Sequence, residues 1–347
     1  MTRAGELAAG ILNWLEAVRY GDEGWGRWKY NRHMCRPYGL QCCGSAVSLL
    51  NSLGALDQVT ASEKGEGIAF YQSCQDPQDG YFKDPLVTDQ DRSGAAHSWE
   101  HIWMQMSGIA GALRTLGGEP TRPLPGKRFA DLSAVDAGEW TLSLDWRNPW
   151  MVGEEWAAAL TTLWRSLSAD EQRAGHPAIE RAMAAYEGQI VDPDTGMPSR
   201  RGCGEPAVAM AGLFKTMTAH LALKRPVPWA ERAIDTTLAL QKADGEFGRG
   251  RDMCINWDAL WVLRELDRQL EGAWRHGDIT AAGAALVDCL LKVYHKPDGG
   301  FAFHGEHCLQ AHNSIRTSEA LPESDMLGTS MCLRCVAYVD EWGESTE

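Results

Sequence analysis

The sequence predicts an all-α protein, an (α/α)6 toroid of six helical hairpins with an inner and an outer ring of helices. The first observation behind it is a short phrase, Asp298-Gly299-Gly300-Phe301, that recurs upstream as Asp244-Gly245-Glu246-Phe247, Asp194-Thr195-Gly196-Met197 and Asp79-Gly80-Tyr81-Phe82. Looser copies stand at Glu23-Gly24-Trp25 and Asp136-Ala137-Gly138-Glu139-Trp140. Glycine to glycine, the copies are 49 to 58 residues apart, which is room for two helices each. The second observation is chemical: Asp-Gly reverses a chain leaving a helix, with glycine at positive φ and the following aromatic tucked under the turn. The third is that a lone hairpin cannot bury its apolar faces, whereas six can if they close into a ring, an open solenoid being the alternative. On this reading residues 1–347 form one domain.

The elements follow in order. An outer helix from Gly5 to Arg19 carries Leu7, Ile11, Leu15 and Val18 on one face. A polar loop from Arg27 to Tyr38 leads to an inner helix of small residues, Gly39 to Leu53, suited to close packing around an axis. The second repeat has an outer helix ending near Cys74 and an inner one from His97 to Leu116. In the third, Pro120, Pro123 and Pro125 leave space for a short outer helix near Phe129 to Val135, followed by an inner helix from Met151 to Leu167. Pro177 starts the fourth outer helix, which runs to Ile190, and Pro206 starts an inner helix that ends at Leu223. The fifth pair spans Pro228 to Gln241 and Cys254 to Leu270. The sixth spans Asp278 to Tyr294 and Ser324 to Val339, joined by the longest loop.

With 33 basic and 47 acidic residues the net charge is −14, which argues against nucleic-acid or anionic-membrane partners. No apolar run has membrane-spanning length and the first twenty residues are amphipathic, so the expected compartment is the cytoplasm. The ten cysteines include the adjacent Cys42 and Cys43 and helix-interior Cys289, Cys332 and Cys335, and read as small core residues rather than a disulfide framework. Many of the fifteen tryptophans sit in loops after the turns, among them Trp28, Trp146 and Trp257, where they suit the wall of a cavity or the packing between helices.

This layout puts the loops and the N-termini of the inner helices at one mouth, a place that favours anions. Arg36, Arg147, Arg201 and Arg251 fall there, as do His97, His101, His304, His307 and His312. A basic mouth on an acidic chain points to a small anionic substrate; the alternative is that the arginines pair with loop carboxylates.

Repeats of the form Gln-x-x-Asp-Gly-x-Phe, as at Gln241 to Phe247, resemble the toroid of the terpenoid cyclase and protein prenyltransferase superfamily, and they cover nearly the whole chain. The resemblance implies a fold, since the turn is structural. In the beta subunit of protein farnesyltransferases zinc is held by Asp-x-Cys at one inner helix head and a histidine at the next. Here Asp252-Met253-Cys254 matches the first part, while Gly328 replaces the histidine, leaving Asp252, Cys254 and a loop residue such as His307 as the candidate zinc ligands. Class II terpene cyclases carry Asp-x-Asp-Asp-Thr; in Asp325-Met326-Leu327-Gly328-Thr329 two of those aspartates are missing, and Asp89-Gln90-Asp91 is only a looser Asp-x-Asp. No Asp-Asp-x-x-Asp is present for magnesium diphosphate, so no cofactor is favoured.

Uronate lyases and unsaturated-glucuronyl hydrolases share the double-ring architecture, and the mouth suits a saccharide. Trp28, Trp146 and Trp257 offer stacking surfaces, Arg36, Arg147, Arg201 and Arg251 can hold a carboxylate or sulfate, and His304 and His312 add polar contacts. The catalytic candidates are His97, Glu100, His101, Asp252, Asp258, His307, Asp325 and Tyr38, with Tyr30 as a further acid. His97 and His101, four apart, share a helix face and suit a metal pair, a base with its orienter, or a cap and a packing residue. The leading expectation is a lyase or hydrolase acting on an acidic oligosaccharide. The alternatives are an isoprenoid enzyme with altered residues, marked by an apolar aromatic cavity, and a binding protein without chemistry.

Overall fold

The computed structural model describes residues 2–88, 91, 106, 108–124, 131–248, 250–312 and 315–344. Among them are thirteen α-helices and one two-stranded antiparallel hairpin. No helix there is long and apolar enough to cross a membrane. The chain divides into two compact units. The first comprises Met1–Pro125, Arg251–Met253 and Cys289–Glu347, the second Gly126–Gly250 and Cys254–Asp288.

The first unit holds α1 (Arg3–Ala17), α2 (Leu40–Ser52), α3 (Ala61–Ser73) and α4 (Gly108–Thr115). The second unit follows with α5 (Ala137–Ser143), α6 (Pro149–Ser166), α7 (Ala169–Ala174), α8 (Pro177–Gln189), α9 (Pro206–Ala222), α10 (Ala230–Ala239), α11 (Met253–Gln269) and α12 (His276–Cys289). The first unit ends with α13 (Met326–Glu344), which packs on both α1 and α2, while α2 packs on α4. In the second unit the predicted inner helices α6 and α9 pair, and the outer helices α5 and α8 pair. Small residues permit these approaches: a Cβ on Gly212 of α9 would stand 2.5 Å from Pro149, and one on Gly44 of α2 would stand 3.1 Å from Ile109.

The repeated phrase forms the same device five times. A residue at the end of the outer helix bridges a large apolar residue beyond the turn, at Arg19 with Trp28, Gln75 with Phe82, Asp192 with Met197, Gln241 with Phe247 and His295 with Phe301. Its glutamine acts as a staple. The Gln241 amide donates to Gly245 O at 2.9 Å and to Ala282 O of α12 at 2.8 Å, tying the turn to the next outer helix. The Gln75 amide likewise donates to Gly80 O at 2.9 Å and to Arg122 O, in the loop after α4, at 3.0 Å. Gly245 has φ 93° and Gly299 φ 101°. A Cβ on Gly299 would meet Gly10 O of α1 at 2.4 Å, so the turn of the last repeat leans on the first helix of the chain.

The third copy is different. Asp136 does not close a turn; its carboxylate accepts from the N–H groups of Gly138 and Glu139, both at 2.9 Å, and starts α5. The third outer helix is therefore Ala137–Ser143, and residues 131–135, expected to be helical, form turns. Asp followed by a Gly two residues on suits a helix cap as well as a turn, and only the residue pattern after it separates them. The short α7, capped by Ser168 and Glu171 in a reciprocal box, also departs from the expected hairpins.

The core of the second unit carries a pH-sensitive residue. Trp146, Trp156 and Tyr186 cluster there with fully buried His220. His220 Nδ1 lies 3.1 Å from Pro226 O, an acceptor, so Nδ1 carries the proton, and Nε2 finds no partner among the described residues. Burial pushes this imidazole down to about 4. Because the folded value lies below the unfolded one, its contribution is complete above about pH 6.5 and is lost as pH falls toward 4. The effect is roughly 3 kcal/mol at most. Denaturant unfolding of His220→Gln should show a flatter stability profile than wild type between pH 6.5 and 4; parallel profiles would reject the assignment.

Candidate functional site

In the first unit, α2, α4 and α13 border an open cavity of about 340 Å³. Its wall is built from small and polar groups: Gly44, Gly108, Gly111 and Ala112 leave the space, and Gln41, Ser45, Ser48, Thr115 and Arg334 line it. Met106 and Ile109 are the larger apolar lining residues, and no described lining residue is aromatic. Gln41 and Met106 also line a narrow recess of about 20 Å³ into which Tyr30, Arg36, Asp84, His312 and Thr317 face.

Each residue of the recess is held by identifiable local structure. Tyr30 is buried, and its carbonyl accepts the Met326 N–H from the start of α13 at 2.8 Å. His312 ends strand β1 (Ala311–His312), which pairs antiparallel with β2 (Ile315–Arg316). That hairpin is fixed to the Tyr30 loop twice, by Cys35 N–H donating to Thr317 O at 2.9 Å and by the Asn31 amide donating to Ser318 Oγ at 2.7 Å. The result is a contact of 3.0 Å between the Tyr30 hydroxyl and His312 Nδ1. The surrounding protein pushes the His312 imidazole down to about 4, so at neutral pH the ring is uncharged and able to accept a hydrogen bond from the phenol. Asp84 caps α2, accepting from Leu40 N–H at 2.8 Å and Leu86 N–H at 2.9 Å, and burial raises its carboxyl above the usual range. Arg36 pairs with Asp91 and donates to Leu86 O at 3.0 Å.

Of the residues singled out from the sequence, Arg36 and His312 meet here, together with Tyr30. His97, Glu100 and His101 lie outside the described residues, as does Asp89. Several others occupy the core. Trp28 is buried edge-on against Trp25, and Trp146 donates its indole N–H to Thr141 O at 2.7 Å, so neither ring presents a face for stacking. Tyr38 is buried against Phe70, which raises its hydroxyl above the usual value. Asp258 is buried within α11, and Trp257 is half-buried against Phe214, ring centroids 5.1 Å apart.

Asp325 is fully buried and accepts three backbone N–H groups, from Phe303 at 2.7 Å, Gly328 at 2.8 Å and Leu309 at 3.0 Å. Burial pushes its carboxyl up to about 6, the three donors acting in the opposite direction. Its oxygens fasten the sixth loop to α13, a structural task that leaves no open face for a substrate.

Three of the arginines expected at the mouth face a carboxylate: besides Arg36, Arg147 pairs with Asp145 at 2.6 Å and Arg251 pairs with Glu306 at 2.8 Å, whereas Arg201 donates to the uncharged Gln189 amide oxygen at 3.4 Å. His304 binds the Arg251 carbonyl at 3.0 Å, and His307, its ring 5.0 Å from that of His304, binds Cys308 O. Among the described residues no three His, Cys, Asp or Glu side chains converge as a metal ion requires, so Asp252, Cys254 and His307 are not brought together as a zinc site. The zinc and protonation motifs of the isoprenoid enzymes meet a steric obstacle as well. A Cβ on Gly328 would stand 2.5 Å from Phe303 N and 2.7 Å from Ala302 C, backbone atoms that leave no room for a side chain.

Asp84, Gln41 and Arg334 were not found by reading loops. The available signal for Arg334 was a cation in the middle of a helix of small and apolar residues, between Cys332, Leu333 and Cys335, Val336.

No family model and no curated protein sequence matches the chain. Solved structures similar to it include a GH76 alpha-mannanase from Bacteroides thetaiotaomicron, with TM-score 0.49 and 8% identity, covering 100% of this chain and 98% of the other. A polysaccharide lyase gives TM-score 0.47 and 9% identity, covering 100% and 99%. A type II terpene cyclase from Scytonema gives TM-score 0.35 and 13% identity, covering 98% and 85%. At these identities the likeness concerns fold and carries no activity with it. The fold class is all-α, built from the repeated helix, turn and helix described above.

Proposed function

We propose that the chain is a carbohydrate-active enzyme acting on an acidic oligosaccharide that enters the cavity between α2, α4 and α13, with Tyr30 and His312 moving the proton. The observation that carries this reading is the cavity wall, about half polar through Gln41, Ser45, Ser48, Thr115 and Arg334 and free of aromatic side chains among the described lining residues. Such a wall offers hydrogen bonds to hydroxyl groups and solvates an isoprenoid chain poorly. β-Elimination is the reaction preferred for the site. It needs a group to take the proton beside a carboxylate and one to return a proton to the leaving oxygen, and a phenol sharing a proton with a neutral imidazole does both. Hydrolysis is the second reading, favoured by the raised carboxyl of Asp84, which is protonated over a wider pH range than an ordinary aspartate.

The test is thermal unfolding against uronic-acid oligosaccharides, neutral oligosaccharides and prenyl diphosphates, with ultraviolet absorbance followed on each mixture. A ligand that binds only the folded chain raises its Tm. The expected result is a rise with the uronic-acid set, accompanied by growing absorbance from a new carbon–carbon double bond. Falling absorbance on unsaturated substrates would select hydrolysis, and a rise with prenyl diphosphates alone would end the carbohydrate reading.

A further inference from the structure

We propose that Asn31 is a positioning residue for the Tyr30–His312 pair, its side-chain amide setting the length and alignment of the hydrogen bond between them. The proposal rests on the reading of that pair as the group that moves the proton, and it names what holds the two in register. Tyr30 and His312 belong to segments 282 residues apart, neither of them helical. Asn31, next to Tyr30, is fully buried. Its Nδ2 donates to Ser318 Oγ at 2.7 Å and to Cys308 Sγ at 3.3 Å. One of these acceptors precedes the β1–β2 hairpin that carries His312 and the other follows it, so a single amide grips both ends.

Chemistry fixes the direction of this contact. Ser318 Oγ donates its proton to Glu319 O at 2.8 Å, and the Cys308 thiol finds acceptors in the same carbonyl at 3.4 Å and in Ser318 Oγ at 3.3 Å. Both groups therefore present lone pairs to Asn31, and an NH2 group serves the two at once. Asn31 Oδ1 finds no partner among the described residues, so the amide is oriented by its donor end. From Ser318 the hold passes to His312 along the hairpin: the Thr317 and Ser318 N–H groups both point at Gln310 O, at 2.8 and 3.4 Å, two residues before His312. On the other side the Tyr30 carbonyl accepts Met326 N–H, and the Asn31 carbonyl accepts Met34 N–H at 3.3 Å. Loss of the amide lets the hairpin draw back from Tyr30, and a displacement of about 1 Å at reacting groups costs roughly a hundredfold in rate. It also admits water to His312, whose imidazole is pushed down by burial. The other titratable or charged groups facing the recess among the described residues are Tyr30, Arg36, Cys42 and Asp84.

The experiment follows the His312 ring by NMR titration of histidine-labelled protein in wild type, Asn31→Ala, Ser318→Ala and the double variant, with His312→Gln supplying the assignment. Tm, and kcat and KM on uronic-acid oligosaccharides, are measured beside it. In wild type His312 is expected to titrate near 4. In the variants its midpoint should rise by roughly one pH unit or more toward 6.5, and the acid limb of kcat/KM should rise with it. The kcat should fall roughly ten- to a hundredfold while KM stays within about threefold. The double variant should be little worse than Asn31→Ala, since both changes remove the same contact. His220→Gln, which perturbs the core of the second unit, should leave the His312 midpoint at the wild-type value. Wild-type titration and kcat in Asn31→Ala, with or without a fall in Tm, overturn the proposal. If Asn31→Ala does not fold, Ser318→Ala decides by the same criteria. A wild type that turns over no uronic-acid oligosaccharide ends the catalytic reading of the pair, while the His312 midpoints still decide whether Asn31 positions it.

Discussion

Replacing Tyr30 with phenylalanine is expected to lower kcat on the uronic-acid substrate by roughly 10²- to 10⁴-fold, the usual worth of a positioned acid–base group. The side chain is buried, and phenylalanine keeps its ring, so the change removes the hydroxyl that sits 3.0 Å from His312 Nδ1 and little else. Loss of one such hydrogen bond costs about 1 kcal/mol of stability, which separates a catalytic effect from a folding one when Tm is measured beside kcat. The pH dependence gives a second check. His312 must be uncharged to accept the phenol's hydrogen bond and to serve as a base, and its surroundings push it down to about 4, so the acid limb of kcat/KM should fall near that value and not near pH 6.5. Full activity in Tyr30→Phe, or an acid limb near 6.5, would remove the pair from the mechanism.

Gly328→Asp, which restores one carboxylate of the cyclase-type motif, is expected to destabilise the chain by roughly 3 kcal/mol or more and not to create a protonating acid. The reason is backbone geometry. The first turn of α13 lies directly on the segment Phe301–Phe303, with Phe301 O 2.8 Å and Phe303 N 2.5 Å from where a Cβ would be. Those atoms cannot move without breaking the Phe303 N–H contact to Asp325 at 2.7 Å and the Phe301 N–H contact to Thr329 at 3.0 Å. Even Gly328→Ala should therefore lower the denaturant midpoint. A Gly328→Asp variant with wild-type stability would mean that the helix can shift outward, and the isoprenoid alternative would regain ground.

The repeats were legible because their physics is local. An acidic residue with a glycine and a large apolar residue just after it determines a turn through the glycine's positive φ and the buried side chain, wherever the rest of the chain goes, and five of the six copies formed it. The prolines that open α8 and α9 fixed helix starts for the same reason. The third copy failed because a carboxylate beside free N–H groups caps a helix as readily as it closes a turn, and the choice lay outside the phrase.

The site was a different matter. Sequence placed charges and rings in loops, but whether an arginine faces a ligand or a neighbouring aspartate depends on residues far away in the chain. Arg36 meets Asp91, and Arg251 meets Glu306, 55 positions on. The same holds for the contact that organises the recess, in which Tyr30 and His312 are 282 residues apart and are joined through Asn31, Ser318 and the start of α13. The amino-acid sequence by itself thus determined the hairpins, because each is closed by hydrogen bonds between residues a few places apart. Only the tertiary structure decided which polar groups border empty space, because burial and pairing are properties of residues brought together from distant parts of the chain.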